Sequence, residues 1–174
     1  MRVTLRTPVE ADRAEFIAAM RASAAFHRPW MNGVATDADY DRLLDRVVDP
    51  RYDPNFVCRL EDGAIVGFLN LSEIVRGLFQ SAYLGYGAVA AHAGQGYMTE
   101  GMQLLLRRAF IELDLHRVEA NIQPGNFRSI ALVQRSGFVH EGFSERYLKI
   151  GGRWRDHERY AIRVEQWRAR RRAN

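Results

Sequence analysis

The chain between Tyr83 and Leu113 changes its period in mid-course, and that change limits what the whole can fold into. Tyr83-Leu84-Gly85-Tyr86-Gly87-Ala88-Val89 reads as a strand, Ala93-Gly94-Gln95-Gly96 as a turn, and Met98, Met102, Leu105, Ala109 and Leu113 recur at helical spacing. A strand fed through glycines into an amphipathic helix predicts an anion site. The first helical turn has N–H groups without intrahelical partners, and glycine lets a ligand approach them with no Cβ in the way. Between Ala88 and Leu106 there is no Lys or Arg, so backbone donors are expected to hold the anion. Gly85 and Gly87 lie inside the strand, where glycine marks a bulge or a close backbone approach. A glycine-rich turn of this kind also occurs with no ligand at all. Two nucleotide patterns fail here: Thr99 stands where a dinucleotide fingerprint needs its third glycine, and the Gly-Lys-Ser/Thr of a P-loop is missing.

The rest of the chain supplies one α+β domain around that unit. Val3 to Arg6 alternates as a strand, and Thr7-Pro8 with Glu10 and Asp12 opens a helix that continues toward Phe26. Phe26 to Met31 is an aromatic break, and Asp37 to Val48 is a second amphipathic helix closed by Asp49-Pro50. Asn55 to Leu60 and Ala64 to Ile74 are strands joined at Glu61-Asp62-Gly63. His116 to Gln123 is a strand, Asn126 a helix N-cap, Ser129 to Ser136 a short helix, and Gly137 its left-handed stop. Phe138 to Ile150 and Arg153 to Val164 form a closing hairpin around Gly151-Gly152. This order predicts a mixed, mostly antiparallel sheet of about seven strands with flanking helices.

At 174 residues a single domain, 1–174, is the simplest reading. No apolar leader or membrane-length run occurs, which predicts a cytoplasmic protein that does not engage a membrane. Cys58 is the only cysteine, in a strand-like run that predicts a buried, inert thiol, and the five histidines fall at no metal-ligand spacing, so no metal is expected. The formal charge of +4 is confined to the C-terminal segment, where five arginines from Arg163 to Arg172 stand against Glu165. The stretch 167–174 is therefore read as a basic tail, either a solvated charge run or a weak contact for a polyanion such as RNA.

Two motifs in order resemble a known family. Ala91-x-x-Gly94-x-Gly96 followed by Tyr97-Met98-Thr99-Glu100 is similar to the acetyl-coenzyme A motif of the GCN5-related N-acetyltransferases (GNAT). Asn126-x-x-Ser129-x-x-Leu132 with Gly137-Phe138 is similar to their second motif. Arg76-Gly77-x-Phe79, Tyr83-Leu84-Gly85-Tyr86 and Gly152-x-Trp154-x-Asp156-His157 narrow the resemblance to the ribosomal-protein-alanine N-acetyltransferase subgroup, the RimJ-like type, and it covers nearly the whole chain.

The resemblance implies a GNAT fold splayed between the fourth and fifth strands, with acetyl-CoA as cosubstrate and its pantetheine arm in that gap. The implied contacts are Ala88, Val89, Gly94, Gln95, Gly96, Tyr97, Met98, Thr99, Asn126 and Ser129. It implies direct transfer through a ternary complex to a primary amine, with Glu119 as base through a water and Ser129 as the acid for the leaving thiolate. Glu119 also reads as a strand acid paired with Arg117, Ser129 and Asn126 as helix caps, and Phe26 to Met31 as either an acceptor wall or packing. Tyr147, Trp154, Asp156 and His157 are candidates for the acceptor side, Trp154 reading also as packing. Two positions depart from the family pattern: Ala91 replaces Gln or Arg, and Val133 replaces a tyrosine acid. The implied acceptor is a protein N-terminal alanine or serine, possibly on a ribosomal protein. The alternatives are a small amine such as a polyamine, amino acid or antibiotic, and an acyl-CoA-binding or ribosome-associated protein with little catalysis.

Overall fold

The computed structural model describes residues 1–33 and 35–173. Strands β1 (Val3–Arg6), β2 (Asp53–Arg59), β3 (Ile65–Val75), β4 (Ser81–Ala88), β5 (Arg117–Ile122), β6 (Val139–Ile150) and β7 (Arg153–Arg163) form one sheet. Its order is β1-β2-β3-β4-β5-β7-β6. Every neighbouring pair is antiparallel except β4 and β5. The expected α+β fold with its mixed sheet is what the chain adopts. Pro54 sits in β2 beyond the reach of β1, whose pairing ends at Arg6 with Phe56, so the missing N–H costs no ladder bond there.

The helices cover the sheet on both faces. Helices α1 (Arg13–Ala22), α2 (Ala24–His27) and α3 (Asp37–Val48) bury Phe16, Met20, Tyr40 and Leu43 against Phe56, Cys58 and Phe68. Helices α4 (Tyr97–Arg107), α5 (Phe127–Ser136) and α6 (Val164–Ala173) cover the other face, where Leu69, Leu71, Met102, Leu105, Val118, Ile162 and Trp167 form the main core. The helix expected to run to Phe26 is broken at Ser23. Its hydroxyl bonds back to the Ala19 carbonyl at 2.7 Å and accepts the Ala90 N–H at 2.9 Å, so the break ties α1 to the segment after β4. Helix α3 starts where expected, on a capping box in which Thr36 accepts from the Asp39 N–H at 3.2 Å and Asp39 from the Thr36 N–H at 3.0 Å. Gly137 ends α5 at φ +98°, with its N–H on the Gln134 carbonyl at 3.0 Å.

Helix α4 lies unusually close to the sheet. A Cβ on Gly101 would stand 3.0 Å from Val57, and one on Gly67 only 2.4 Å from the Met98 sulfur. These two glycines set the depth of α4 and so fix its N-terminus beside the end of β4.

The basic C-terminal stretch is not an extended tail. Its residues through Ala173 are helical in α6, with Asn174 outside the described residues. Trp167 is 7% exposed, its ring centroid 5.5 Å from that of Phe110 and beneath the Arg171 guanidinium at 5.0 Å. Arg170 lies over Gly137 and donates to the Arg135 carbonyl at 3.1 Å, at the C-terminus of α5 where a cation is favoured. The arginines stay wet because one tryptophan among them is apolar enough to dock the whole helix. Trp167→Ala should therefore cost about 3 kcal/mol in urea unfolding, the range for emptying a buried aromatic site, whereas exposed Arg172→Ala should stay within about 0.5 kcal/mol. An unchanged urea midpoint for Trp167→Ala would mean that α6 is not docked.

Candidate active site

The central feature is a parting of two strands. β4 and β5 share three rungs, Ser81 with Arg117, Ala82 with Val118 and Tyr83 with Glu119. Beyond them β4 follows β3 to the Gly67–Ala88 rung, and β5 follows β7 to the Ile122–Glu158 rung. The expected splay between the fourth and fifth strands is present, and it leaves the inner edges of both strands unpaired with one another. A cleft of about 1200 Å³ opens there, larger than the roughly 300 to 1,000 Å³ of an ordinary small-ligand pocket.

One end of the cleft is the glycine turn. Gly94 and Gly96 have φ of +79° and +88°, a region other residues avoid, and a Cβ at Gly94 would meet nothing within 4 Å. Gly96 is the N-cap of α4, and its carbonyl accepts from Thr99 at 3.0 Å and Glu100 at 3.2 Å. The first-turn N–H groups ahead of these have no intrahelical acceptor and face a concave surface, as an anion requires. Ala88, Gly94, Gly96, Tyr97, Met98, Thr99, Asn126 and Ser129 all line the cleft. Val89 and Gln95 do not. Val89 is buried in the core under α1 to α3 with its N–H on the Val66 carbonyl at 2.9 Å, and the Gln95 side chain donates to the Ala91 carbonyl at 3.2 Å.

Positive charge reaches this end from elsewhere in the chain. Arg2 donates to the Gln95 carbonyl at 2.9 Å, lies over the Tyr97 ring at 4.7 Å, and is paired with Glu100 at 2.6 Å. Arg128 and Arg135, two turns apart on α5, stand in the opposite wall of the cleft. Sequence inspection of the turn alone missed them. Their signal is the seven-residue spacing on a helix whose apolar face is already committed to Leu132 and Val133.

The two sides of the parting carry different chemistry. Leu84 and Tyr86 point toward α4 and α5, and there the Tyr86 hydroxyl meets the Ser129 hydroxyl at 2.5 Å. Burial holds the Tyr86 phenol well above its ordinary pKa, so it remains a proton donor at neutral pH. Asn126 caps α5 by accepting from the Ser129 N–H at 3.3 Å. The Ser129 hydroxyl thus serves no cap, since it is engaged by Tyr86, a residue the sequence offered only as part of a subgroup motif.

Tyr83, Glu119, Asn121 and Arg159 alternate onto the other face. Glu119 is found in its ion-paired form. Its carboxylate accepts from Arg117 at 2.8 Å, Arg117 is shared with Glu141, and Glu119 lines a smaller hollow with Glu73 and Tyr83 rather than the main cleft. Burial, and then a hydrogen bond with Tyr83, raise the pKa of the Tyr147 phenol on this face. His157 is buried at 3% exposure and does line the cleft. Trp154, expected to pack, is 61% exposed, and Asp156 accepts the Arg146 N–H at 2.8 Å, holding a bulge in β6. On the side of α2, His27 donates from Nε2 to the Ala88 carbonyl at 2.9 Å, and Gln123 donates to the Trp30 carbonyl at 3.0 Å. Phe26, Trp30 and Met31 are therefore wall and packing at once.

Comparison with known proteins agrees with this geometry. The chain matches the family described as "Acetyltransferase (GNAT) domain" over residues 2–139. It is 38% identical over 107 residues to the [Ribosomal protein uS5]-alanine N-acetyltransferase of Escherichia coli, a match covering 62% of this chain and 55% of that protein. The chain thus spans about half the length of the curated relatives it matches. Among solved structures it resembles Mycobacterium smegmatis RimJ in complex with CoA-disulfide, with TM-score 0.85 and 29% identity over 94% of this chain and 82% of the other. It shares its fold with the Vibrio cholerae spermidine N-acetyltransferase in complex with CoA and spermine, with TM-score 0.79 and 22% identity over 95% of this chain and 98% of the other. A family match over four-fifths of the chain makes this protein a member of the GNAT acetyltransferase family.

Proposed function

We propose that this chain transfers acetyl from acetyl-CoA to the N-terminal amine of a protein beginning with alanine or serine, by direct attack in a ternary complex. The observation that carries the reading is the parting of β4 and β5, with anion donors at one end and hydroxyl chemistry at its centre. The pyrophosphate would take the N–H groups after Gly96, with Arg128 and Arg135 opposite. The pantetheine amides would bond to the inner edges of the two strands. The acetyl group would then lie beyond Tyr86 and Ser129, open to an amine from the other face.

Acyl transfer at this point needs three things from the chain. Holding thioester and amine in line removes much of the barrier as prepaid entropy. A donor must meet the charge on the thioester oxygen or the departing sulfur. Ser129, polarised by a phenol that keeps its proton, can protonate the thiolate and recover the proton through Tyr86. The amine must shed a proton before it attacks.

The small-amine reading is less well supported. No Asp or Glu lines the main cleft among the described residues, so the carboxylates that would recognise a polycation are missing from it. The name of the Escherichia coli relative supports a peptide that begins with alanine.

Thiol release and mass analysis over short peptides and small amines should show acetylation of Ala- or Ser-initial peptides that strengthens with peptide length. Activity confined to polyamines or amino acids would replace this acceptor, and tight CoA binding without turnover on any amine would remove the catalytic reading. Ser129→Ala and Tyr86→Phe should each lower kcat by roughly 10- to 100-fold while leaving acetyl-CoA affinity within a few-fold, and the double variant should lose little more than either alone, because the two hydroxyls act as one unit. Independent, multiplicative losses would separate them. Arg128→Ala should weaken acetyl-CoA binding about 10-fold, less at high salt, as expected for an exposed phosphate contact.

A further inference from the structure

The amine's first proton has no obvious destination in the family motifs as this chain carries them, because Glu119 is bound to Arg117 outside the cleft. His157 offers one. It lies on β7 one position beyond the Ile122–Glu158 rung, beside the open end of β5, on the face from which an amine would enter. Its Nδ1 stands 2.9 Å from the Arg155 carbonyl. A carbonyl only accepts, so Nδ1 must carry the hydrogen, and in the neutral ring the lone pair is then on Nε2. The same strip of strand is where buried polar atoms go without protein partners: Asn121 Oδ1, Arg155 Nε and Arg159 Nε are the three such side-chain atoms among the described residues. Arg155, His157 and Arg159 alternate on one face of β7, and Asn121 is the cross-strand partner of Arg159. Each such group in a native fold calls for a partner from outside the fold, a water, an ion or a bound substrate.

We infer that His157 is the general base of the acetyl transfer, receiving on Nε2 the proton that the acceptor ammonium must lose before it attacks. The inference rests on the N-acetyltransferase reading above. In the step, R–NH3⁺ gives one proton to His157 and becomes R–NH2. The nitrogen lone pair then forms the C–N bond at the thioester carbonyl, and the C–S bond breaks. The second proton leaves the nitrogen as the amide forms and offsets the one that Ser129 delivers to the sulfur, so the products are amide, free thiol and one proton released from His157 to solvent.

The surroundings suit a base that is neutral at pH 7. Burial pushes the His157 imidazole below its ordinary pKa, opposed by the Arg155 carbonyl and by Asp156. The other groups facing it are Tyr147 of β6, whose ring centroid is 6.1 Å away, Arg155 and Arg159 on its own strand, Glu119 toward the paired end of β5, and Arg128 across the cleft.

The test compares wild type with His157→Gln and His157→Asn, the latter retaining a donor for the Arg155 carbonyl, using whichever amine the wild type acetylates. Both variants should lose roughly 100-fold in kcat/KM at pH 7 with acetyl-CoA affinity within twofold, and the deficit should shrink as pH rises past the acceptor amine's pKa, near 8 for an α-amino group. A deficit that stays constant with pH, or one matched by lost acetyl-CoA binding, would overturn the assignment and leave His157 a packing residue. Ring-nitrogen NMR of the CoA-bound wild type decides independently of any acceptor. The proposal requires hydrogen on Nδ1 and a bare Nε2 at pH 7, and an imidazolium or an Nε2–H tautomer would refute it. A wild type that acetylates no amine would count against the proposed function, while the nitrogen spectrum would still decide for or against the base.

Discussion

The structure depends on the short ladder between β4 and β5. A parallel pair needs a crossover, and α4 supplies it, so the strand that ends at the glycine turn and the strand that follows the helix must lie side by side. With three rungs formed, each strand is drawn away by its other neighbour, β4 by the long antiparallel ladder with β3 and β5 by that with β7. The backbone polar groups along the parted edges are the reason this gap suits an amide-bearing arm. Unpaired N–H and C=O groups need partners, and here they line a cleft instead of facing bulk solvent.

The same division separates the proton chemistry. A strand alternates its side chains across the sheet, so consecutive residues at the parting serve opposite faces. Tyr86 turns toward α5 and meets Ser129, whereas Tyr83 and Gly85 turn toward the surface that β6 and β7 complete with Tyr147 and His157. The Tyr86–Ser129 hydroxyl pair and the His157 imidazole thus stand on opposite faces of the sheet, as the proposed division of proton transfers requires. Stability and site share parts here. The Ser23 hydroxyl that breaks the first helix also receives the Ala90 N–H, and Gly67 and Gly101 seat the helix whose N-terminus forms the anion end.

Much of this was legible in the sequence because it was local. The change of period at the glycine turn, the Asn126 cap and the Gly137 stop lie within a few residues of the structure they cause, and all three are found as expected. What sequence reasoning missed depends on partners far along the chain. Arg2 reaches Gln95 and Glu100 across more than 90 residues, so a stretch without basic side chains still acquired a guanidinium. Glu119 read as a base or as a strand acid paired with Arg117, and the structure shows it with that partner, two positions away. The basic C-terminus read as a tail because five arginines outweigh one tryptophan in composition. In packing the weights reverse, since Trp167 has a buried partner in Phe110 and the arginines need none.

Amide hydrogen exchange with and without CoA tests the central claim most directly. If the parted edges hold the pantetheine arm and the turn holds the phosphates, CoA should slow exchange at residues 84–88, 94–98 and 120–122, with little change in β1 or α3. Protection absent from both strand edges, or confined to a surface outside the parting of β4 and β5, would contradict the account.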